Sequence, residues 1–229
     1  MPGEIALVGG NEFRAGTTRM DRAILAASGQ DSARVVVLPT AAAWYTPEHS
    51  AAHGVGHFNS LGGDARPLMV LERSHANDPG FAQALGDAHV IYFAGGSPDH
   101  LLEVLQDSLL LQAMLQAVER GAVLAGSSAG AMVLGAMMRR PERGGWVKAL
   151  GVVPQVAVLP HHEDKDPAEI AQQLESQVPA SLTVLGIDAR TACLGSPGRW
   201  RVLGVGRVVV YRNGQWTSHK AGEQLPAGV

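Results

Sequence analysis

Four short runs, Ile5-Ala6-Leu7-Val8, Val35-Val36-Val37-Leu38, Val90-Ile91-Tyr92-Phe93 and Ala122-Val123-Leu124-Ala125, are apolar at every position rather than at every second one. A strand with one wet face alternates, so continuous runs predict strands covered on both faces, as in a parallel sheet. Each is followed by glycine or another turn residue, and segments 20–27, 47–60, 79–85 and 98–119 between them read as helices. In the last of these, Leu101, Leu102, Leu105, Leu109, Met114, Leu115 and Val118 recur at helical spacing and form a core stripe. Strands alternating with helices predict a layered α/β fold with right-handed crossovers.

The final third changes character. Segments 182–187, 192–194, 200–205 and 207–212 read as short strands, and Arg212-Asn213-Gly214-Gln215 carries the Asn-Gly signal of a hairpin. An antiparallel extension of the main sheet is expected there rather than a second domain. A chain of 229 residues with 46% hydrophobic and 17% charged residues can bury one large core, so residues 1–229 are expected to form one domain.

Composition also narrows the partners. Eighteen basic and 21 acidic residues, dispersed over both halves, leave a net charge of -3 and no basic stripe, which disfavours nucleic acid. The single cysteine, Cys193, excludes an intramolecular disulfide and a multi-cysteine zinc site and fits a reducing compartment. The start of the chain lacks a basic n-region, and no segment reaches the roughly 20 apolar residues of a membrane span. A cytoplasmic protein with no membrane partner is expected.

The chemistry centres on Gly126-Ser127-Ser128-Ala129-Gly130, which fits G-x-S-x-G. A strand-like run precedes it and helical residues 131–138 follow, the strand-turn-helix setting of a nucleophile elbow, with Ser128 at its centre. The helix beyond would point backbone N–H groups at the site, and Ala129 N–H is one candidate oxyanion donor. The competing reading is that Ser127 and Ser128 merely cap that helix. A second donor is expected from a glycine turn on a neighbouring strand, and Phe93-Ala94-Gly95-Gly96-Ser97-Pro98 supplies Gly96 N–H. Gly9-Gly10-Asn11 is a similar turn, without the spacing of a dinucleotide fingerprint.

A serine needs a base, and the chain offers nine histidines. His49, His53 and His57 stand four apart, but Gly54 and Gly56 weaken that helix and no carboxylate is fixed among them, so a helix face is expected rather than a metal site. His161 and His162 follow the apolar run Val156-Ala157-Val158-Leu159 and Pro160, at a strand end where α/β folds place working groups. Either could be the base. With Glu163, Asp164 and Asp166 they also form a possible metal cluster of adjacent ligands.

Taken in order, Leu7-Val8-Gly9-Gly10, Leu38-Pro39-Thr40-Ala41, Gly95-Gly96, the serine turn, Gly151-Val152-Val153-Pro154, Val158-Leu159-Pro160-His161, Gly186-Ile187-Asp188 and Thr191-Ala192 resemble the peptidase E and cyanophycinase family of serine peptidases. The resemblance runs over nearly the whole chain. It implies the class I glutamine amidotransferase-like fold: a three-layer α/β sandwich around a mostly parallel sheet, with the C-terminal antiparallel extension. It also implies a nucleophile at Ser128, a base at His161, oxyanion donors at the Gly96 and Ala129 amides, and no metal or organic cofactor.

Relatives typically carry a glutamate directly after Gly-Ile-Asp, and that position here is Ala189. A triad uses a carboxylate to hold the imidazole, so Asp188 is the candidate third member. Its alternative role is to stabilise a turn before Arg190.

The implied activity is that of an exopeptidase or dipeptidase acting on small peptides, with N-terminal aspartate preference open. The alternatives are a non-catalytic binding relative, or an esterase or amidase on the same elbow. Cyanophycinase-like members handle an aspartate-arginine polymer with polar and basic residues around the histidine, whereas Leu159-Pro160 precede His161 here. An aspartate preference would require a cation, for which Arg139, Arg140, Arg143 and Arg190 are available. A homodimer is left open.

Overall fold

The computed structural model describes residues 2–229. In chain order its elements are β1 (Ile5–Val8), α1 (Thr18–Ala26), β2 (Arg34–Leu38), a 3-10 turn (Thr40–Ala42), α2 (Pro47–Ser60), β3 (Asp64–Pro67), α3 (Arg73–Ala76) and α4 (Pro79–Gln83). Next come β4 (Val90–Phe93), α5 (Pro98–Leu105), α6 (Leu109–Glu119), β5 (Val123–Ser127), α7 (Ala129–Leu134), β6 (Met137–Arg139), β7 (Trp146–Lys148), β8 (Val156–Pro160) and α8 (Pro167–Gln177). The chain closes with β9 (Thr183–Ile187), β10 (Thr191–Ser196), β11 (Arg199–Gly204), β12 (Arg207–Arg212) and β13 (Gln215–Lys220).

The main sheet has the order β11-β10-β1-β5-β4-β2-β3. Its strands from β1 to β3 run parallel, and β10 and β11 add antiparallel on the β1 side. The continuous apolar runs sort by the two-residue pleat. Ala6, Val8, Val35, Val37, Val90 and Tyr92 pack on Met20 and Ile24 of α1 and Phe58 of α2. Leu7, Val36, Leu38, Ile91, Phe93 and Leu124 face Leu101 and Leu105 of α5 and Leu110 and Met114 of α6. Each such leucine or isoleucine contributes about 1.5–3 kcal/mol on burial, more than helix propensity supplies per residue, so packing holds these helices in place.

Segment 98–119, expected as one helix, is two helices that bend by 88°. Asp107 takes a φ of 55°, and the Ser108 side chain accepts from Leu111 N at 3.1 Å, restarting the helix with an N-cap. The apolar period runs through the break because both halves press on the same core. Among the described residues no single helix is long and apolar enough to cross a membrane.

The C-terminal strands divide. Only β10 and β11 extend the main sheet; β9 instead joins a second sheet of order β13-β12-β9-β8, in which β8 and β9 run parallel. Val158, Leu185 and Val208 of this sheet meet main-sheet side chains in one core cluster, while Ala157, Val184 and Val209 pack on Ala171 and Leu174 of α8. The predicted helix 131–138 is likewise shorter: it stops at Leu134, and β6 and β7 form a hairpin around the polar 140–145 turn.

His162 belongs to the core of the second sheet. It is 1% exposed, its ring packs over Gly186, and its Nε2 lies 2.6 Å from the Tyr211 hydroxyl. Burial, reinforced by Arg207 and Lys165, lowers its pKa from 6.5 to about 4. The unfolded chain therefore takes up a proton near pH 6.5 that the folded chain refuses until about pH 4. Stability is expected to fall by at most about 3 kcal/mol across that window as the pH drops. Urea unfolding at pH 7.5 and 4.5 checks this: His162→Gln should lose less stability than the parent chain between the two, and an equal loss would exclude the histidine as its source.

Candidate active site

The parallel strands deliver the candidate residues to one edge. Val8, Phe93 and Ser127 end β1, β4 and β5, and the next residues form the turns around the site. Ser128 has φ 50° and ψ -107°, a region that costs a non-glycine residue about 1–3 kcal/mol, and its N–H donates to Val8 O at 2.9 Å. A Cβ on Gly126 would run into the backbone of Gly130, so the turn closes this tightly only with a bare glycine.

Ser128 makes no side-chain capping bond to α7. Its Oγ lies 3.1 Å from Nε2 of His161 instead, which removes the capping reading of Ser128. His161 enters from the end of β8, where its N–H donates to Gly9 O at 2.9 Å and its φ of 52° turns the side chain back over β1. The imidazole lies over Gly10: a Cβ there would stand 2.5 Å from Nε2 and 2.9 Å from Nδ1.

The two expected oxyanion donors are amides left without an internal partner. Neither Gly96 N–H nor Ala129 N–H has an acceptor among the described residues. The Gly96 turn is pinned by the bond from Ser97 N to Ala41 O at 2.7 Å. Gly96, Ser128 and His161 line one cleft of about 340 Å³.

Asp188 stands apart from this group. Its Oδ2 accepts from Arg207 N at 2.9 Å and lies 3.9 Å from Arg207 Nε, its Oδ1 is buried without a partner, and it makes no hydrogen bond to His161. Burial raises its carboxyl above the usual value, against the pull of the Arg207 amide and guanidinium. The reason is topological: β9 lies between β8 and β12, and the carboxylate at its end faces β12 rather than the elbow. Asp188 therefore secures the start of β12, in place of both the expected contact with the base and the alternative of bracing the turn before Arg190.

Glu12 escaped sequence reasoning. Its Oε1 accepts from Gly95 N and its Oε2 from Ser127 Oγ, both at 2.7 Å. One carboxylate thus ties the loop after β1 to the nucleophile turn and to the Gly95-Gly96 turn. Ser127 likewise does not cap the helix: it is fully buried and donates this bond. The available signal was a carboxylate two residues beyond the Gly9-Gly10 turn, beside a buried serine with a hydroxyl to satisfy.

Charge in the cleft also differs from expectation. Arg140 pairs with Asp99 at 2.6 Å, and neither Arg139 nor Arg143 reaches the cleft. Arg190 lines an adjoining pocket together with Arg14, and Arg14, Phe13, Asn11 and His53 belong to both. Among the described residues neither Arg14 nor Arg190 is paired with a carboxylate. The histidine stripe of α2 splits: His57 Nε2 lies 2.7 Å from buried Asp21 Oδ2, while His49 and His53 face the cleft.

The chain is similar to several known proteins. A family model described as peptidase family S51 matches residues 5–200. A cyanophycinase from Geminocystis herdmanii (strain PCC 6308) is 26% identical over 218 residues, covering 90% of this chain and 79% of the relative. The crystal structure of a peptidase from an acI-B1 Actinobacterium superposes with a TM-score of 0.82 at 26% identity, over 99% of this chain and 97% of the other. A crystal structure from Listeria monocytogenes EGD-e shares the fold, with a TM-score of 0.62 at 17% identity over 93% of this chain and 99% of that one.

Proposed function

Because the chain belongs to peptidase family S51 and is by that membership a serine peptidase, we propose that it is an exopeptidase or dipeptidase that hydrolyses small peptides at Ser128. The observation that carries this reading is the 3.1 Å approach of Ser128 Oγ to His161 Nε2 on a strained elbow. In this reading Ser128 Oγ attacks the scissile carbonyl carbon as Nε2 takes its proton. The carbonyl oxygen becomes an oxyanion held by the Gly96 and Ala129 amides. His161 returns the proton to the departing amine, leaving an acyl ester on Ser128. Water then attacks that ester, gives a proton to His161 and releases the acid, with the proton passing back to Ser128 Oγ.

The cleft, about 340 Å³, is at the small end of ligand sites and suits a di- or tripeptide better than a long chain. Glu12 offers a carboxylate for an α-ammonium group, and unpaired Arg14 offers a cation for an acidic side chain or carboxylate. These two groups support N-terminal aspartate as the preferred residue. Leu159 and Pro160, apolar before His161, favour such a peptide over an aspartate-arginine polymer.

A panel of dipeptides, their N-acetylated forms and activated esters tests the proposal. Free dipeptides should be cleaved, those beginning with aspartate fastest, and acetylation should lower kcat/KM by about 100-fold through loss of a charged contact. Cleavage of activated esters with every peptide left intact would replace the peptidase reading with an esterase.

A further inference from the structure

We infer that Glu163 is the positioning residue that supplies the carboxylate charge to His161, in place of an acid at the end of β9. The inference rests on the Ser128–His161 reading above. Once Nε2 takes up the Ser128 proton the ring becomes a cation, and Nδ1 has no acceptor among the described residues. A fixed negative charge nearby lowers the cost of that cation.

Elimination narrows the donors of such a charge. Asp188 is held by Arg207, Asp166 caps α8 by accepting from Ala168 N, and Glu12, tied to the Gly95 and Ser127 turns, is the acid assigned above to the substrate's α-ammonium group. Glu163 is positioned differently. Two residues beyond His161, it folds back so that its Oε2 accepts from Ala189 N at 2.8 Å. The next residue, Arg190, donates its N–H to Gly10 O at 2.9 Å, and Gly10 is the floor beneath the imidazole. The carboxylate is thus two short links from the surface on which the ring lies. It is docked on the residue that follows Asp188, so the charge reaches the site from the β8 turn and the β9 turn supplies only an amide.

The electrostatics agree with that placement. Burial pushes the Glu163 carboxyl up, yet the Ala189 N–H, its own N–H, and the nearby His161 and Arg190 together bring it below its usual value. Other charged groups come from the elements around the cleft. Glu12 and Arg14 come from the loop after β1, and His49 and His53 from α2, all lining the same cleft. Asp188 and Arg190 come from the turn after β9, and Asp164 and Lys165 follow Glu163 itself. Glu163 is the acid that a backbone bond fixes in the turn following His161.

The test follows phosphonylation of Ser128 by a fluorophosphonate across pH 4.5–9, which reads His161 without requiring a peptide substrate. Glu163→Gln keeps an oxygen for Ala189 N and removes only the charge. The second-order rate constant is expected to fall about 10-fold, and its acid limb to move about half a pH unit lower, because an imidazole that loses a neighbouring anion gives up its proton more readily. Asp188→Asn should leave the limb where it is. A Glu163→Gln profile that superimposes on the parent's, or a limb displaced by Asp188→Asn instead, would overturn the inference and leave the nucleophile standing. No labelling of the parent chain at any pH would overturn the Ser128–His161 reading itself, and this inference with it. Glu163 is exposed, so the charge change is not expected to hinder folding.

Discussion

Replacing Ser128 by alanine is expected to lower kcat/KM on a cleaved dipeptide by at least about 10,000-fold, because no other hydroxyl is paired with a histidine in the cleft. Folding should not suffer. The hydroxyl makes its one side-chain hydrogen bond to an exposed imidazole, so its loss leaves no buried group unsatisfied. Ser128→Gly separates the two effects further. At φ 50° glycine is free of the Cβ penalty that serine bears, so this variant should be as inactive as the alanine form yet more stable by about 1 kcal/mol. Urea midpoints and dipeptide assays on the three proteins check both halves. Residual hydrolysis above a few per cent in Ser128→Ala would move the nucleophile elsewhere. A glycine variant less stable than the parent would mean that the elbow is not strained.

Much of this site is legible along the chain, because its parts are backbone features. The elbow needs small residues between a strand and a helix, and Gly126 through Gly130 show that at fixed spacing. The Gly96 amide follows from a glycine turn that ends a buried run, whereas the place after Val156-Ala157-Val158-Leu159-Pro160 leaves His161 and His162 both open and only the resemblance singles out His161. Side-chain direction is a different matter. Asp188 and Ala189 lie beside each other at the end of β9, and which of them faces the base depends on β9 pairing with β8 and β12. That pairing is non-local: the runs 182–187 and 192–194 look alike, yet one enters the second sheet and the other the main sheet. Glu12 was illegible for the same reason, since its partners Gly95 and Ser127 are 83 and 115 residues away. The bend at Asp107 was hidden by a continuous apolar period that two helices share.

Gly10→Ala is expected to lower kcat/KM by about 100-fold or more with only a modest loss of stability, although residue 10 bears no reacting group. Two physical effects coincide there. The φ of 112° is one that L side chains rarely adopt, and a Cβ would enter the space filled by the His161 ring, 2.5 Å from Nε2. The backbone can shed little of this conflict, because Gly10 O accepts from Arg190 N and Gly9 is bonded to both Thr191 O and His161 N. The ring is the softer partner: His161 is exposed at a strand end, and its side chain holds only Ser128 Oγ. It should therefore swing away, leaving a folded protein whose nucleophile has lost its base. Fluorophosphonate labelling should slow in parallel with peptide hydrolysis, because both require the proton to leave Ser128 Oγ. The thermal midpoint should fall by only a few degrees, the shift that about 1–2 kcal/mol gives in a chain of this length. Full activity in Gly10→Ala would mean that the imidazole works from a position other than the one over β1, and the Glu163 link through Ala189, Arg190 and Gly10 would lose its floor.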